Sequence, residues 1–192
     1  MNTEFILGSQ SPRRKDLLEQ AGIVFSVKSA DIDESQVTSD SPEHLVETLA
    51  GLKAREVSRL FPDAWVLGAD TIVVVDGQIL GKPGSTDEAA EMLNKLNNRS
   101  HQVYTGFCLH HANQCREYTE SVSTTVWFKS LSQQEILWYV NTLEPMDKAG
   151  AYGIQGVGSF LVSKIHGSYT NVVGLPVCEL ICAMVAEKII QI

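Results

Sequence analysis

The stretch from Trp65 to Pro83 constrains the fold more than any other part of the chain. It begins with a nearly unbroken run of apolar, mostly β-branched residues, which is typical of a strand buried on both faces. Asp76-Gly77 is a strong turn dipeptide, so we expect the chain to fold back there and return toward Lys82. One acid, Asp70, interrupts the apolar run, and a carboxylate in such surroundings needs a partner.

These residues alone leave two interpretations of Asp70 open. In the first, Asp70 caps a turn at the edge of the strand, and Lys82 is an ordinary solvated lysine. In the second, the register of the hairpin places Lys82 near Asp70, and Pro83 holds the lysine in extended geometry. The second interpretation makes the hairpin part of a functional site.

Composition limits the class of protein and its partners. A chain of 192 residues with 44% hydrophobic residues can bury one good core, or two small lobes around a cleft. The 23 acidic against 15 basic residues give a net charge of -8, which argues against a nucleic-acid partner but not against a small anionic ligand. No apolar run reaches membrane-spanning length and no signal peptide is recognisable, so we expect a cytoplasmic protein with no membrane partner.

A phosphate site is predicted close to the N-terminus. Phe5 to Gly8 reads as a strand, and Ser11 with Pro12 suits the start of a helix that runs to about Gly22. Free backbone N–H groups and the helix dipole favour an anion at this position. Arg13 and Arg14 lie in the first turn, where the dipole disfavours cations, so a bound phosphate explains them better than helix stability does. The alternative is a solvated basic turn.

The next predicted helix runs from Ser41 to about Leu60, and Lys53 projects from its apolar face. The usual explanation is a lysine that extends its charge to solvent. The functional alternative is a lysine aimed into a cleft. The acidic loop before this helix contains Asp31, Asp33 and Glu34, which either supply a metal ligand or are solvated. The other residues on the face of Lys53 are Val46, Ala50, Val57 and Leu60.

The remaining pattern alternates strands and helices. Further strands are predicted at 25–29, 100–111, 114–127 and 160–165. Helices are predicted after the capping boxes at 85–88 and 132–135, and again from about 176 to 189. Residues 150–158 contain four glycines, which allow a close backbone approach to a ligand, although no P-loop motif is present.

The four cysteines do not form a recognisable metal or redox motif. Cys178 and Cys182 are four residues apart in an apolar helix, so we expect small core residues rather than a functional thiol pair. His110 and His111 lie between Cys108 and Cys115, but adjacent residues of a strand point to opposite faces. A structural metal is therefore not predicted there.

Six blocks, spread over nearly the whole chain, together resemble the Maf family. They lie at residues 7–14, 68–71, 81–83, 100–103, 147–156 and 173–176. The resemblance implies a nucleoside triphosphate pyrophosphatase that cleaves the α–β phosphoanhydride. It also implies a single Maf-like domain over residues 1–192, with the α/β fold of the inosine triphosphatase family: a mixed twisted sheet with flanking helices, in two lobes around a cleft. A homodimer is expected.

The resemblance also assigns roles to individual residues. Asp70 matches the proton acceptor, and Asp70 with Glu34 matches the ligands of a divalent metal, Mg²⁺ or Mn²⁺. The 147–156 block is similar to the subgroup that acts on dTTP and UTP, not to the subgroup that acts on methylated guanine nucleotides. Gly8 replaces the alanine usual in the family, which is a small departure. The positions tied to nucleotide selectivity are Arg13, Thr71 and Gln155, and those expected to bind phosphate are Ser9, Arg14, Lys53 and Lys82.

This chemistry agrees with the residues found from the sequence pattern. A triphosphate carries about four negative charges, so its site needs several cations and a divalent metal. A regulatory protein that binds nucleotide without turnover is the alternative; it would need the phosphate site but not an acid within a strand. A DNA-binding regulator is disfavoured by the acidic composition.

Overall fold

The computed structural model of the chain describes residues 4–29, 32–34 and 37–191. Within these ranges, none of the helices combines the length and apolar character that a membrane crossing requires. The strands are β1 Phe5–Leu7, β2 Ser26–Val27, β3 Trp65–Val75, β4 Gln78–Leu80, β5 Ser100–His111, β6 Arg116–Phe128 and β7 Val162–His166. The α-helices are α1 Pro12–Gln20, α2 Pro42–Leu60, α3 Thr86–Leu96, α4 Gln133–Val140, α5 Tyr169–Val173 and α6 Val177–Ala186. Short 3-10 segments cover Glu144–Asp147, Ala149–Ala151 and Gly156–Leu161.

The strands form one mixed sheet, which confirms the predicted α/β fold class. Its order is β2-β1-β3-β5-β6-β7, and β4 pairs with β3 outside this path. The strand β1 is parallel to both β2 and β3, whereas β3/β4 and β6/β7 are antiparallel. Parallel neighbours require crossover connections, and α1 and α2 lie in those connections along the chain.

The hairpin predicted at Asp76-Gly77 is present, but it is shorter than expected. Asp76 and Gly77 have φ values of 51° and 73°, which is the left-handed geometry of a tight two-residue hairpin turn. The paired register runs from Val75 opposite Gln78 to Val73 opposite Leu80 and stops there. The paired residues stop short of Asp70 and Lys82, so the proximity of those two residues stays a prediction.

The chain divides into two compact units, each with its own hydrophobic core. Unit 1 comprises Met1–Asp70, Thr105–Val122 and Gly174–Ile192, and unit 2 comprises Thr71–Tyr104 and Ser123–Val173. A core cluster of unit 1 consists of Ile6, Ala50, Ala54, Val57, Ala64, Val66 and Cys108. A core cluster of unit 2 includes Val73, Leu93, Leu96, Val126, Phe128, Ile136, Tyr139 and Tyr152.

In unit 1, two glycines allow α2 to pack closely on the sheet. A Cβ atom on Gly68 would lie 2.1 Å from the carbonyl oxygen of Ala50 and 2.7 Å from the amide nitrogen of Ala54. A Cβ atom on Gly106 would lie 2.5 Å from the carbonyl group of Val46. No side chain fits in those gaps, so the helix rests directly on backbone. This close approach brings the middle of α2 to the central part of β3, which carries Asp70.

Two expectations about buried residues are wrong. Leu60 is 74% exposed, because the buried face of α2 ends with Val57 and Ser58 one turn earlier. Cys178 and Cys182 are also exposed. They share a face of α6 as predicted, but the helix buries its other face, which carries Leu180, Ala183 and Met184.

Candidate active site

Asp70 is a buried carboxylate that is paired with Lys53. Asp70 lies within β3 and is 9% exposed. The Nζ atom of Lys53 donates a hydrogen bond to Oδ1 of Asp70 at 2.6 Å. Lys53 projects from α2, and only 14% of its side chain is exposed, so its charge is not extended into solvent. The lysine is therefore directed into the site, and it is the cation that the acid in the strand requires.

Glu34 adds a second carboxylate to this pair. Its Oε1 atom lies 2.9 Å from the same Nζ atom of Lys53, and about half of its side chain is exposed. One ammonium group thus holds the oxygens of two acids that are far apart in sequence. Asp31, which belongs to the same acidic loop of the sequence, lies outside the described residues.

Arg14 is held firmly beside this cluster. Its Nε atom donates to the carbonyl oxygen of Gly174 at 2.8 Å, and one terminal nitrogen donates to Oγ of Ser9 at 3.1 Å. Burial lowers the pKa of Arg14, Asp70 and Glu34 raise it, and the charge of Arg13 lowers it. A guanidinium nevertheless stays protonated in proteins, so Arg14 is a fixed positive charge that is influenced by both carboxylates.

Ser9 organises the start of α1. Its Oγ atom accepts from the backbone N–H of Ser11 at 3.2 Å and from Arg14. Ser11 occupies the predicted cap position and Pro12 follows it, but the side chain of Ser11 makes no capping hydrogen bond. The start of α1 therefore carries Arg13 and Arg14 without an acidic residue in its first turn. Such an arrangement can bind an anion such as phosphate.

Two carboxylates of unit 1, those of Asp70 and Glu34, could serve as ligands of a magnesium ion. Among residues 4–29, 32–34 and 37–191, no group of three or more His, Cys, Asp or Glu side chains is placed to hold a metal. Asp70 and Glu34 form a pair whose oxygens converge on the Nζ atom of Lys53. Mg²⁺ is usually held by one or two carboxylates together with substrate phosphates and water, and not by a complete protein cage.

Three other residues with predicted roles belong to unit 2. Thr71 follows Asp70 on β3 and is half-buried. Lys82 is exposed and lies two residues beyond the end of β4. Gln155 is exposed and directly precedes the 3-10 segment Gly156–Leu161.

A backbone hydrogen bond of Gly150 joins two segments of unit 2, one leading to Lys82 and the other leading to Gln155. Its backbone N–H donates to the carbonyl oxygen of Gly81 at 3.0 Å, next to Lys82. Its φ value is 67°, and a Cβ atom would lie 2.9 Å from the side chain of Val73. Both the conformation and the space require glycine at this position.

Unit 2 contains a buried histidine–tyrosine pair that the sequence pattern did not predict. The Nε2 atom of His101 and the hydroxyl group of Tyr152 form a hydrogen bond of 2.7 Å. The Nδ1 atom of His101 is buried and finds no partner among the described residues. Both residues belong to blocks that carry the family resemblance, and this was the only signal that the sequence offered for the pair.

His101 should make the stability of the protein depend on pH. Burial, and then the charge of Arg99, lower the pKa of His101 from 6.5 to about 4. The folded state therefore binds fewer protons than the unfolded chain, so stability is complete above about pH 6.5 and declines as the pH falls toward 4. Because of His101, we expect the free energy of unfolding to fall by about 2–3 kcal/mol between about pH 7.5 and pH 4.5.

Chemical unfolding of the parent and of His101→Gln at both pH values measures this contribution. The variant should lose less free energy of unfolding on acidification, by about that amount. The matched control is His166→Gln, because His166 is exposed. Equal pH dependence in the parent and in His101→Gln would show that His101 is not the group responsible.

Comparisons with known proteins agree on the family. The family model described as Maf-like protein matches residues 4–187. A protein of Symbiobacterium thermophilum named dTTP/UTP pyrophosphatase is 55% identical over 90% of this chain and 88% of its own length. One of Syntrophus aciditrophicus with the same name is 46% identical over 94% of this chain and 88% of its own length.

A solved structure supports the fold. The Ham1 protein of Staphylococcus aureus superposes with a TM-score of 0.55 at 15% identity, over 96% of this chain and 99% of that one. At this identity the likeness concerns the fold alone. The match to the family model spans nearly the whole chain, and the identity to the curated relatives is high. This chain belongs to the Maf-like protein family.

Proposed function

We propose that this protein is a nucleoside triphosphate pyrophosphatase that hydrolyses dTTP and UTP to the monophosphate and pyrophosphate. Modified pyrimidine triphosphates are included, and the cellular role is to clean the nucleotide pool. The observation that carries the proposal is the cluster of unit 1, in which Lys53 holds two carboxylates beside the fixed charge of Arg14. The names of the relatives support the choice of substrate.

The cations and the start of α1 would bind the triphosphate. Arg13 and Arg14 supply positive charge next to the free N–H groups of the helix, and Ser9 supplies a hydroxyl group. Because Arg14 is fixed by Gly174 and Ser9, it does not have to be ordered when the substrate binds. The family resemblance adds Lys82 as a further phosphate ligand.

Asp70 and Glu34 would hold the divalent cation, Mg²⁺ or Mn²⁺. When bound, such an ion neutralises phosphate charge and favours ionisation of water. Lys53 neutralises the same two carboxylates in this structure, so it keeps the site intact without the cation. Asp70 would orient the attacking water by a hydrogen bond and accept its proton, which is the role of a general base.

The products of the reaction test the proposal directly. With dTTP or UTP and Mg²⁺, we expect the nucleoside monophosphate and pyrophosphate in equal amounts, resolved by ion-exchange chromatography. Diphosphate with orthophosphate would show cleavage of the β–γ bond and would overturn the proposal. Absence of turnover for every canonical and modified triphosphate would favour a regulatory nucleotide-binding protein.

Pyrimidine triphosphates should be the best substrates. Arg13, Thr71 and Gln155 together motivate this expectation, because hydrogen bonds to the edge of a base discriminate strongly when the wrong base leaves polar groups unpaired. We expect kcat/KM for dTTP and UTP to exceed that for GTP and ITP by about tenfold or more. A preference for the purine triphosphates in the same assay would contradict this assignment of specificity.

A homodimer and a cytoplasmic location complete the proposal, and both derive from the analysis of the sequence. Sedimentation equilibrium of the purified protein tests the first. A mass of one chain at micromolar concentration would exclude the dimer.

A further inference from the structure

Gln155 lies in a segment that cannot fix its own conformation. Gly153, Gly156 and Gly158 surround it, and Gly156 has a φ value of 67°. Glycines lose more conformational freedom on folding than any other residue. Gln155 itself is exposed, so packing does not hold its side chain. Selection of a base by Gln155 therefore requires an external support for the segment.

Glu144 supplies this support on the C-terminal side of Gln155. Its Oε2 atom accepts from the backbone N–H of Val157 at 2.9 Å, and its Oε1 atom accepts from that of Gly158 at 3.0 Å. Partial burial disfavours the charged form, but the two backbone hydrogen bonds, the hydrogen bond from Tyr139 and the charge of Lys148 together outweigh it. The pKa of Glu144 therefore lies below its usual value. An ionised carboxylate thus binds two successive backbone N–H groups close to Gln155.

Tyr139 supplies the support on the N-terminal side. Its hydroxyl group accepts from the backbone N–H of Gly153 at 3.1 Å and donates to Oε1 of Glu144 at 3.0 Å. The side chain of Tyr139 is fully buried in the core of unit 2. A Cβ atom on Gly158 would lie 2.5 Å from the hydroxyl oxygen of Tyr139, so the segment passes directly against it.

Tyr139 and Glu144 are joined by a hydrogen bond and form one network around Gln155. Amides two residues before and two and three residues after Gln155 are bound by one phenol–carboxylate pair, which is anchored in the core. Lys148 adds to it, because its Nζ atom donates to the carbonyl oxygen of Glu144 at 2.6 Å. The catalytic mechanism proposed above uses none of these groups.

We propose that Tyr139 and Glu144 are positioning residues that determine base selectivity by fixing the backbone on both sides of Gln155. The proposal rests on the proposed function and on the role of Gln155 in selecting the base. Neither residue needs to contact the substrate. Their effect is on which triphosphate is accepted, and the chemistry at Asp70 is left unchanged.

Tyr139→Phe is the sharpest test, because it removes both hydrogen bonds of the hydroxyl group and keeps the ring in the core. We expect the ratio of kcat/KM for dTTP to that for GTP to fall about tenfold or more, mainly through a higher KM for dTTP. Gln155→Ala should cause a similar loss. The double variant should lose little more than either single variant, because both changes remove the same interaction.

The matched control is Tyr118→Phe. The hydroxyl group of Tyr118 also donates to a carboxylate, that of Glu120 at 2.7 Å, but it belongs to unit 1. This variant should keep the base ratio of the parent. Should Tyr139→Phe fold poorly, Glu144→Gln is the second variant, since the nitrogen that replaces one carboxylate oxygen cannot accept from a backbone N–H group.

The possible outcomes separate this proposal from the proposed function. An equal loss for all triphosphates in both variants, with the base ratio unchanged, would show a merely structural role and would overturn the inference. If the parent cleaves no triphosphate, the proposed function fails. The inference is then decided by calorimetric affinities for dTTP and GTP, whose ratio should still fall in Tyr139→Phe.

Discussion

Asp70→Asn should reduce the turnover of dTTP by roughly 10²–10⁴-fold or more while the protein stays folded. The amide has nearly the same shape as the carboxylate, and its oxygen still accepts a hydrogen bond from Lys53. It cannot take a proton from water, and it binds a divalent cation poorly. The rate constant kcat at saturating Mg²⁺ and the midpoint of chemical unfolding should be measured on the same preparation.

Asp76→Asn provides the control for this experiment. Asp76 is the next acid along the same segment of chain, but it is exposed at the hairpin turn and paired with Arg99. Asparagine tolerates the left-handed conformation found there, so the turn should persist. Turnover of Asp70→Asn within about tenfold of the parent would remove Asp70 from the catalytic role, since general bases contribute more than that.

Lys53→Met should have the second largest effect, on both stability and rate. The variant leaves Asp70 and Glu34 close together without the ammonium group that holds them. Removing one partner of a buried ion pair costs about 3–5 kcal/mol, and an exposed pair contributes less than about 1 kcal/mol. For this partly buried cluster we expect a loss of about 1–3 kcal/mol in EDTA.

The unfolding midpoint of the same variant reports on the metal site independently of turnover. Mg²⁺ should raise the unfolding midpoint of Lys53→Met more than that of the parent, because the ion replaces the lost positive charge. Turnover should fall about 100-fold, since a cation that we propose to bind phosphate is lost. Lys15→Met, which removes an exposed lysine paired with Glu19, is the control. Equal midpoints of Lys53→Met and the parent in EDTA would contradict the proposed role of Lys53.

Local sequence patterns predicted most elements of the fold, because the signals that define them are local. Asp76-Gly77 specified the hairpin turn, and Ser41 with Pro42 specified the start of α2. Periodicity did not show which face of α6 would be buried. Cys178 and Cys182 share a face, but the choice between faces depends on packing that is distant in sequence.

The sequence singled out Asp70, Lys53 and Glu34 but did not predict that they would pair with one another. Lys53 stood out as a lysine on an apolar face, whereas the proximity of Lys82 was one of two open interpretations for the surroundings of Asp70. The actual pairing depends on how closely α2 approaches β3, which is set by the absence of a side chain at Gly68. Such close packing leaves no pattern in a single sequence.

Tyr139 and Glu144 could not be found from the sequence for a different reason. Their partners are backbone N–H groups, which are present at every residue except proline. The glycines of the segment were the only local signal, and they indicate freedom of the backbone without indicating what restrains it.

The position at which a triphosphate and its metal bind tests most directly whether Asp70 is the centre of the reaction. The measurement is a crystal structure of the protein with Mn²⁺ and a dUTP analogue whose α–β bridge is an imido group that resists hydrolysis. The anomalous peak of Mn²⁺ should lie within bonding distance of carboxylate oxygens of Asp70 and Glu34. Phosphate oxygens of the analogue should lie next to Arg14. A metal and triphosphate bound away from Asp70 would contradict the proposed active site.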